Sequence, residues 1–128
     1  MDPRVSSYLD HARRVLATGR RDDAAGLERQ ALLIVEQLPD GREERAAVLT
    51  LRATRLNASA DYAGALAATL EALALTVDPA AATTLRLEEG RLRLATDAGA
   101  GRPGRPPGGR ARRGPARRTR SRRRTGGR

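Results

Sequence analysis

Residues 61–79 read DYAGALAATLEALALTVDP, and this stretch decides the fold. Asp61 is a typical helix-capping residue, and Ala65 is followed seven residues later by Ala72-Leu73, a spacing that keeps apolar side chains on one helix face. The predicted inward face of this helix is Tyr62, Ala65, Leu66, Thr69, Leu70, Leu73 and Val77. Asp78-Pro79 then predicts another helix, because a capping carboxylate precedes a proline at the first helical position.

Further helices are predicted by start and stop signals of the same kind. The predicted starts are Asp2-Pro3, Asp22-Asp23, the capping-box-like Asp40-Gly41-Arg42-Glu43, and Asp78-Pro79. The first three of these helices are predicted to end at Gly19, Pro39 and Asn57–Ser59. The last is predicted to run to about Thr96. The expected fold class is therefore all-α, with five helices.

The predicted helices repeat in pairs. Ala24 and Ala31 match Ala65 and Ala72 at one common offset. A period near 40 that is built from two helices predicts stacked antiparallel helical hairpins, in which small alanines let paired helices approach closely and larger Leu and Val side chains cover the next hairpin. The alternative is an ordinary alanine-rich helical bundle whose spacing repeats by chance.

The repeat stops after the fifth helix. Residues 101–128 contain 12 Arg, no acidic residue, four of the seven Pro and seven of the 13 Gly, whereas residues 1–100 contain 13 Arg and 15 acidic residues. A segment with this composition has no apolar stripe to bury and too many helix breakers. We therefore expect two and a half hairpins in a repeat domain over residues 1–98, followed by a disordered basic tail over residues 99–128.

The tail has the composition of a polyanion-binding segment. Its densest cationic residues are Arg110, Arg112, Arg113, Arg117, Arg118, Arg120, Arg122, Arg123 and Arg124. Each guanidinium can pair bidentately with a phosphate, and the release of counterions makes such binding strongly salt-dependent. The tail has no aromatic residue for base stacking, so nucleic-acid binding without sequence specificity is expected. The alternative is a solvated extension without function.

The sequence offers few groups for chemistry. It contains no Cys and one histidine, His11, which is expected on the outer face of the first helix. The acidic pairs Asp22-Asp23, Glu43-Glu44 and Glu88-Glu89 are expected to cap helices or form surface ion pairs. We therefore expect no catalytic residue, metal site, cofactor or small-molecule substrate. No apolar run approaches the ~20 residues that a membrane span needs, and a cytoplasmic location is expected.

Two resemblances add to these predictions. Asp61–Leu66, Glu71–Leu73 and Asp78-Pro79 resemble the second helix and closing turn of a divergent tetratricopeptide-type repeat. Residues 38–49, LPDGREERAAVL, are similar to segments that link helical hairpins in large actinobacterial LuxR-family ATP-binding transcriptional regulators. That resemblance implies a sensor or protein-binding arm. The ATPase and helix-turn-helix modules of that family have no counterpart here, since a P-loop needs a Lys and the chain has none.

The unfinished third hairpin predicts a protein-binding surface. Because the fifth helix has no second helix in its own unit, Leu85, Leu92 and Leu94 are expected to be partly exposed and to bind another protein or a second copy of the chain. The expected function is non-enzymatic regulation through protein–protein contacts. The resemblance implies transcriptional control, for example of secondary metabolism such as antibiotic production. The alternatives are an unspecific nucleic-acid-binding protein and a truncated or frame-shifted fragment of a larger regulator.

Overall fold

The computed structural model describes residues 1–100, and within them it contains five α-helices and no strand. The helices are α1 Pro3–Ala17, α2 Arg21–Val35, α3 Arg42–Ala58, α4 Tyr62–Leu75 and α5 Pro79–Ala100. The predicted all-α class is confirmed for this part of the chain. The chain divides into two units, Met1–Thr96 and Asp97–Arg128, and of the second unit only the last turn of α5 is described. Residues 99 and 100, which were predicted to begin the disordered tail, belong to α5, and residues 101–128 lie outside the described range.

Asp2 caps α1 as the sequence predicts. Its Oδ1 accepts hydrogen bonds from the backbone N–H groups of Arg4, at 2.8 Å, and Val5, at 3.4 Å. Pro3 occupies the first helical position, where the missing N–H costs no hydrogen bond. The side chain of Arg4 also donates to this carboxylate, and that hydrogen bond is the main reason why the pKa of Asp2 lies below its usual value.

Two later helices begin in the same way. Asp61 Oδ1 accepts from the backbone N–H of Gly64 at 2.9 Å, and Asp78 Oδ2 accepts from the backbone N–H of Ala81 at 2.9 Å. Each carboxylate satisfies one of the N–H groups that a helix start leaves without an intrahelical partner. Both predicted starts are therefore confirmed at the level of single hydrogen bonds.

The start of α3 differs from the predicted capping box. Gly41, not Asp40, is the N-cap, and Asp40 Oδ1 accepts only a weak hydrogen bond from Arg42 N at 3.3 Å. Gly41 also lies close to the end of α2, since a Cβ at Gly41 would lie 2.9 Å from Val35 Cγ1. Glycine is the residue that lets the chain pass the end of α2 so closely. Asp40 therefore lies one residue too early to form the box.

A left-handed glycine ends α1. Gly19 has φ of +84°, its N–H donates to Leu16 O at 2.9 Å, and the N–H of Arg20 donates to Val15 O at 3.0 Å. These two hydrogen bonds are those of a Schellman motif, which satisfies carbonyl groups in the last helical turn. The predicted end of α1 at Gly19 is confirmed.

The same motif ends α3, with an alanine in the left-handed position. Ala60 has φ of 63°, its N–H donates to Asn57 O at 3.0 Å, and the N–H of Asp61 donates to Leu56 O at 2.9 Å. Gly19 and Ala60 are related by the same offset as the matched alanines of the helix pairs. The repeat therefore extends from the helix faces to the turns between the helices.

The helices contact each other in pairs, α1 with α2 and α3 with α4, and the pairs meet through α2 with α3 and α1 with α3. The four matched alanines, Ala24, Ala31, Ala65 and Ala72, have no exposed surface. One core cluster joins α1, α2 and α3 around Val5, Leu9, Ala24, Ala31, Val35, Val48 and Leu51. A second cluster brings Leu85 of α5 against Leu49 of α3 and Ala72 of α4. The predicted close approach of paired helices thus agrees with the burial of their alanines.

Three predicted boundaries are wrong by a few residues. α2 ends at Val35 and not at Pro39. α4 ends at Leu75, so that Val77, predicted on its inward face, is 76% exposed in the connection to α5. Thr76 takes an extended conformation, which leads the chain into the cap at Asp78. α5 runs to Ala100 and not to about Thr96. A single glycine at position 99 costs about 1 kcal/mol, which is not enough to end a helix.

We predict that Ala60→Gly raises the free energy of unfolding by about 0.5–1 kcal/mol. Alanine in the left-handed region costs about 1–2 kcal/mol, and the larger unfolded-state entropy of glycine offsets only part of that gain. The matched variant Gly19→Ala should lower the free energy of unfolding by about 1 kcal/mol. A Cβ at Gly19 meets nothing within 4 Å, so this variant reports the backbone alone. Urea unfolding followed by circular dichroism measures both changes, and destabilisation by Ala60→Gly would contradict the assigned turn.

Candidate functional site

A groove with a volume of about 740 Å³ lies between α3 and α5. Its walls carry small side chains, Ala46 and Ala47 on α3 and Ala81 and Thr84 on α5. Because these residues are short, the two helices can lie side by side and still leave space between them. Leu75 and Leu85 add larger apolar side chains to the lining, and we call these two residues the apolar floor. The apolar floor and the small residues make the groove suited to an inserted apolar side chain.

The connection between α4 and α5 also lines the groove. Leu75, Thr76 and Val77 contribute its lining there, and Val77 is the most exposed large apolar residue of the described chain, at 76%. An exposed valine beside an apolar groove extends the surface that a partner could cover. Val77 is therefore the clearest single marker of this site.

The rim of the groove is charged with both signs. Arg42 and Glu43 lie in the first turn of α3, and Asp78 caps α5. The Glu43 carboxylate lies 3.3 Å from the amino group of Met1, which also lines the groove. A rim with charges of both signs around an apolar floor is typical of surfaces that bind a peptide or a protein segment.

Among the described residues, the side chains that could take part in catalysis or bind a metal ion do not lie together at one site. His11 is exposed on α1, as expected, and its neighbour Asp10 pairs with Arg13 at 3.0 Å. Within residues 1–98 no group of three His, Asp or Glu side chains is placed to hold a metal ion. In the same part of the chain, no helix is long and apolar enough to cross a membrane.

The acidic pairs lie at helix starts or form ion pairs, and the buried Glu44 also accepts a hydrogen bond from the backbone N–H of Asp2 at 2.7 Å. Asp22-Asp23 and Glu43-Glu44 lie in the first turns of α2 and α3, as expected. Glu88 pairs with Arg91 at 2.6 Å and Glu89 with Arg93 at 2.9 Å, both within α5. These contacts between side chains three and four residues apart stabilise the helix locally.

Glu28 is a buried charge that the sequence interpretation missed. Its side chain is 3% exposed, and its carboxylate receives hydrogen bonds from Arg52 Nε at 2.6 Å and Arg55 Nε at 2.9 Å. The two arginines lie one turn apart on α3, so the carboxylate of α2 bridges the two helix pairs. A usable signal was present, because Glu28 lies on the same face of α2 as the buried Ala24 and Ala31.

We predict that Glu28→Gln lowers the free energy of unfolding by about 2 kcal/mol. The neutral amide leaves two guanidinium groups without their counter-charge. Because both arginines are partly exposed to water, the loss of stability is smaller than for a fully buried ion pair. Glu71→Gln on the exposed surface of α4 is the matched control and should change the value by less than about 0.5 kcal/mol. Equal urea midpoints for the two variants would show that the bridge contributes nothing.

The three leucines that were predicted to bind protein differ in their exposure to solvent. Leu85 and Leu92 are 7% and 2% exposed, so the expectation of a partly exposed surface is wrong for them. Leu85 packs against Leu49 and Ala72, which fills the face that was expected to be open. Leu94 is 72% exposed, as expected.

The tail arginines predicted to bind nucleic acid, Arg110 to Arg124, lie outside the described residues.

Comparison of the chain with protein-family models, with curated proteins and with solved structures found no match.

Proposed function

We propose that the chain is a small, non-enzymatic regulatory protein that binds another protein through a tetratricopeptide-like helical repeat. The observation that carries this proposal is the apolar groove between α3 and α5, with charged residues and the exposed Val77 in its lining. Ala46, Ala47 and Val77 offer an apolar anchoring surface. In contrast, Glu28 and the pairs Asp22-Asp23 and Glu88-Glu89 are engaged in helix starts and ion pairs.

The proposed arrangement is a stack of two and a half antiparallel hairpins. Three regularities support it: a common offset between the helix pairs, the same helix-ending turn after α1 and α3, and fully buried alanines at matched positions of α2 and α4. In such an arrangement α1, α3 and α5 are the first helices of successive units. Solenoids of this kind bind partners along an extended concave surface.

The proposed ligand of the groove is a protein segment with an apolar anchor and charges on either side of it. Ala46 and Ala47 leave room for the anchor, and Arg42, Glu43 and Asp78 offer both signs of charge to the flanking residues. Charges at the rim of an interface mainly set partner choice and association rate. The apolar floor supplies the affinity.

Transcriptional control, in the cytoplasm and in a pathway of secondary metabolism such as antibiotic production, is the proposed setting. It rests on the similarity of residues 38–49 to the hairpin links of LuxR-family regulators. A fold and a resemblance suggest a context, and the partner is decided by the surface. The experiment on the groove is therefore the primary test.

We predict that Val77→Arg reduces capture of a protein partner at least tenfold, which corresponds to about 1.4 kcal/mol. The added guanidinium would lie at the mouth of the apolar groove, where a bound segment would have to desolvate it. Because Val77 is 76% exposed, the fold should be unaffected. The measurement is affinity capture from nuclease-treated native extract by the immobilised full chain, followed by quantitative mass spectrometry.

Leu33→Arg is the matched control, because Leu33 is a 56% exposed apolar residue on α2 and does not line the groove. A partner that binds the groove is retained by the wild type and by Leu33→Arg and lost with Val77→Arg. Identical protein sets for all three chains would reject the groove as the binding site.

A second function is favoured by one observation, the 12 Arg and absence of acidic residues in positions 101–128. We propose that this segment gives electrostatic, sequence-independent attraction to nucleic acid. It can act beside the groove or, as the alternative, be the main activity of the chain. Arginine pairs with phosphate through two parallel hydrogen bonds, which suits this purpose better than Lys.

We predict that the logarithm of the affinity for duplex DNA falls linearly with the logarithm of salt concentration. If all nine clustered arginines contact phosphates, the slope is about −8. Fluorescence anisotropy with two unrelated duplexes measures slope and specificity together. A full-length control in which the nine arginines are replaced by Gln should lose the binding, while Val77→Arg should retain it. Retained binding by the Gln control would place the DNA contact elsewhere.

A further inference from the structure

One side of α5 exposes two large apolar residues. Leu87 is 67% exposed and Leu94 is 72% exposed. They are seven residues apart, which places them on the same side of the helix. Leu85 and Leu92, two residues before each of them, are buried on the other side of α5. The exposed leucines therefore form a short apolar stripe that the described residues leave uncovered.

Gly90 lies between the two exposed leucines. A Cβ at this position would meet nothing within 4 Å, so nothing in the chain's own described packing requires a glycine there. Glycine in the middle of a helix costs about 1 kcal/mol relative to alanine. A glycine beside an apolar stripe instead allows another helix to approach the backbone of α5 closely.

The stripe is flanked by a pair of opposite charges. Glu88 and Arg91 lie on the same flank, and Arg91 Nη1 is 2.6 Å from Glu88 Oε1. Their side chains are 30% and 72% exposed, so both can accept a further partner. The flank thus presents a carboxylate two residues before Gly90 and a guanidinium one residue after it.

We propose that a second copy of the chain occupies this surface, in an antiparallel pairing of α5 with α5 about a two-fold axis that passes near Gly90. The axis sets Leu87 opposite Leu94 of the second copy, and Leu94 opposite its Leu87. It also brings Glu88 towards Arg91 of the second copy, and this ion pair occurs twice. The inference rests on the proposed protein-binding function and deepens it by naming one partner.

Charge complementarity is what favours a second copy over an unrelated helix. A two-fold interface must match itself, so each residue and its partner contact each other reciprocally. Here the apolar residues lie on either side of Gly90, and the two flanking charges have opposite signs. The surface is small compared with the ~800 Å² per partner of a standard interface. We therefore expect a weak dimer whose population rises with protein concentration.

Sedimentation velocity of the nuclease-treated full chain over a range of concentrations is the first test. The wild type should show a concentration-dependent monomer–dimer equilibrium. Leu87→Glu should raise the dissociation constant at least tenfold, because it places two carboxylates in the apolar stripe. Leu33→Glu, at a similarly exposed leucine on α2, should leave the equilibrium unchanged. A wild type that stays monomeric at all concentrations would overturn the proposal.

Charge exchange tests the antiparallel pairing. Glu88→Arg alone brings guanidinium groups of the two copies together, and Arg91→Glu alone brings carboxylates together, so each variant should dimerise more weakly. A mixture of the two variants restores opposite charges across the interface and should form a heterodimer more readily than either variant forms a homodimer. Equal association in all three samples would contradict the proposed register.

Cysteine cross-linking tests the same register independently, since the chain contains no Cys of its own. A mixture of Leu87→Cys and Leu94→Cys chains should form a disulfide-linked dimer under mild oxidation, and each chain alone should form much less. Efficient cross-linking of Leu87→Cys with itself would indicate a parallel pairing and reject the proposal. The Val77→Arg capture experiment tests the groove proposal separately, and its outcome does not depend on whether the chain forms a dimer.

Discussion

The close contact of paired helices at four fully buried alanines is the constraint on which this architecture depends. The chain contains no Phe, Trp or Cys, so it has few bulky side chains with which to fill a gap between helices. Dispersion attraction falls steeply when a gap opens. At Ala24, Ala31, Ala65 and Ala72 each helix presents only a methyl group, and the backbones can approach. Larger residues such as Leu9 and Val48 then fill the spaces around these contacts.

Local signals could be read from the sequence, and long-range ones could not. The caps at Asp2, Asp61 and Asp78 depend on residues within three positions, and all three were predicted. The burial of Glu28 depends on arginines 24 and 27 residues away. The sequence of α2 alone therefore indicates only that Glu28 shares a helix face with buried alanines. Val77 was misplaced because an apolar period does not mark where an extended residue ends a helix. The groove was missed because it arises from small residues on two helices that are distant in sequence.

At equivalent positions of the two helix pairs, a buried polar side chain finds its hydrogen-bond partner in different ways. Glu28 and Thr69 are related by the offset that relates the matched alanines, and both are buried. Thr69 donates its hydroxyl proton to Ala65 O at 2.8 Å, within its own helix. Glu28 has no proton to donate when ionised and must receive hydrogen bonds, which come from α3. The ionic contact is thus made where one pair meets the next, whereas α5 is attached through the apolar contacts of Leu85.

α5 presents different residues to its different neighbours. Leu85 and Leu92 are buried, Ala81 and Thr84 line the groove, and Leu87 and Leu94 are exposed. A partner in the groove and a second copy on the leucine stripe would use different side chains, so the two contacts need not compete. A dimer about α5 would carry two copies of the groove. Because the second of two linked binding events is intramolecular, such a dimer would bind a partner with two matching segments far more tightly than one groove can.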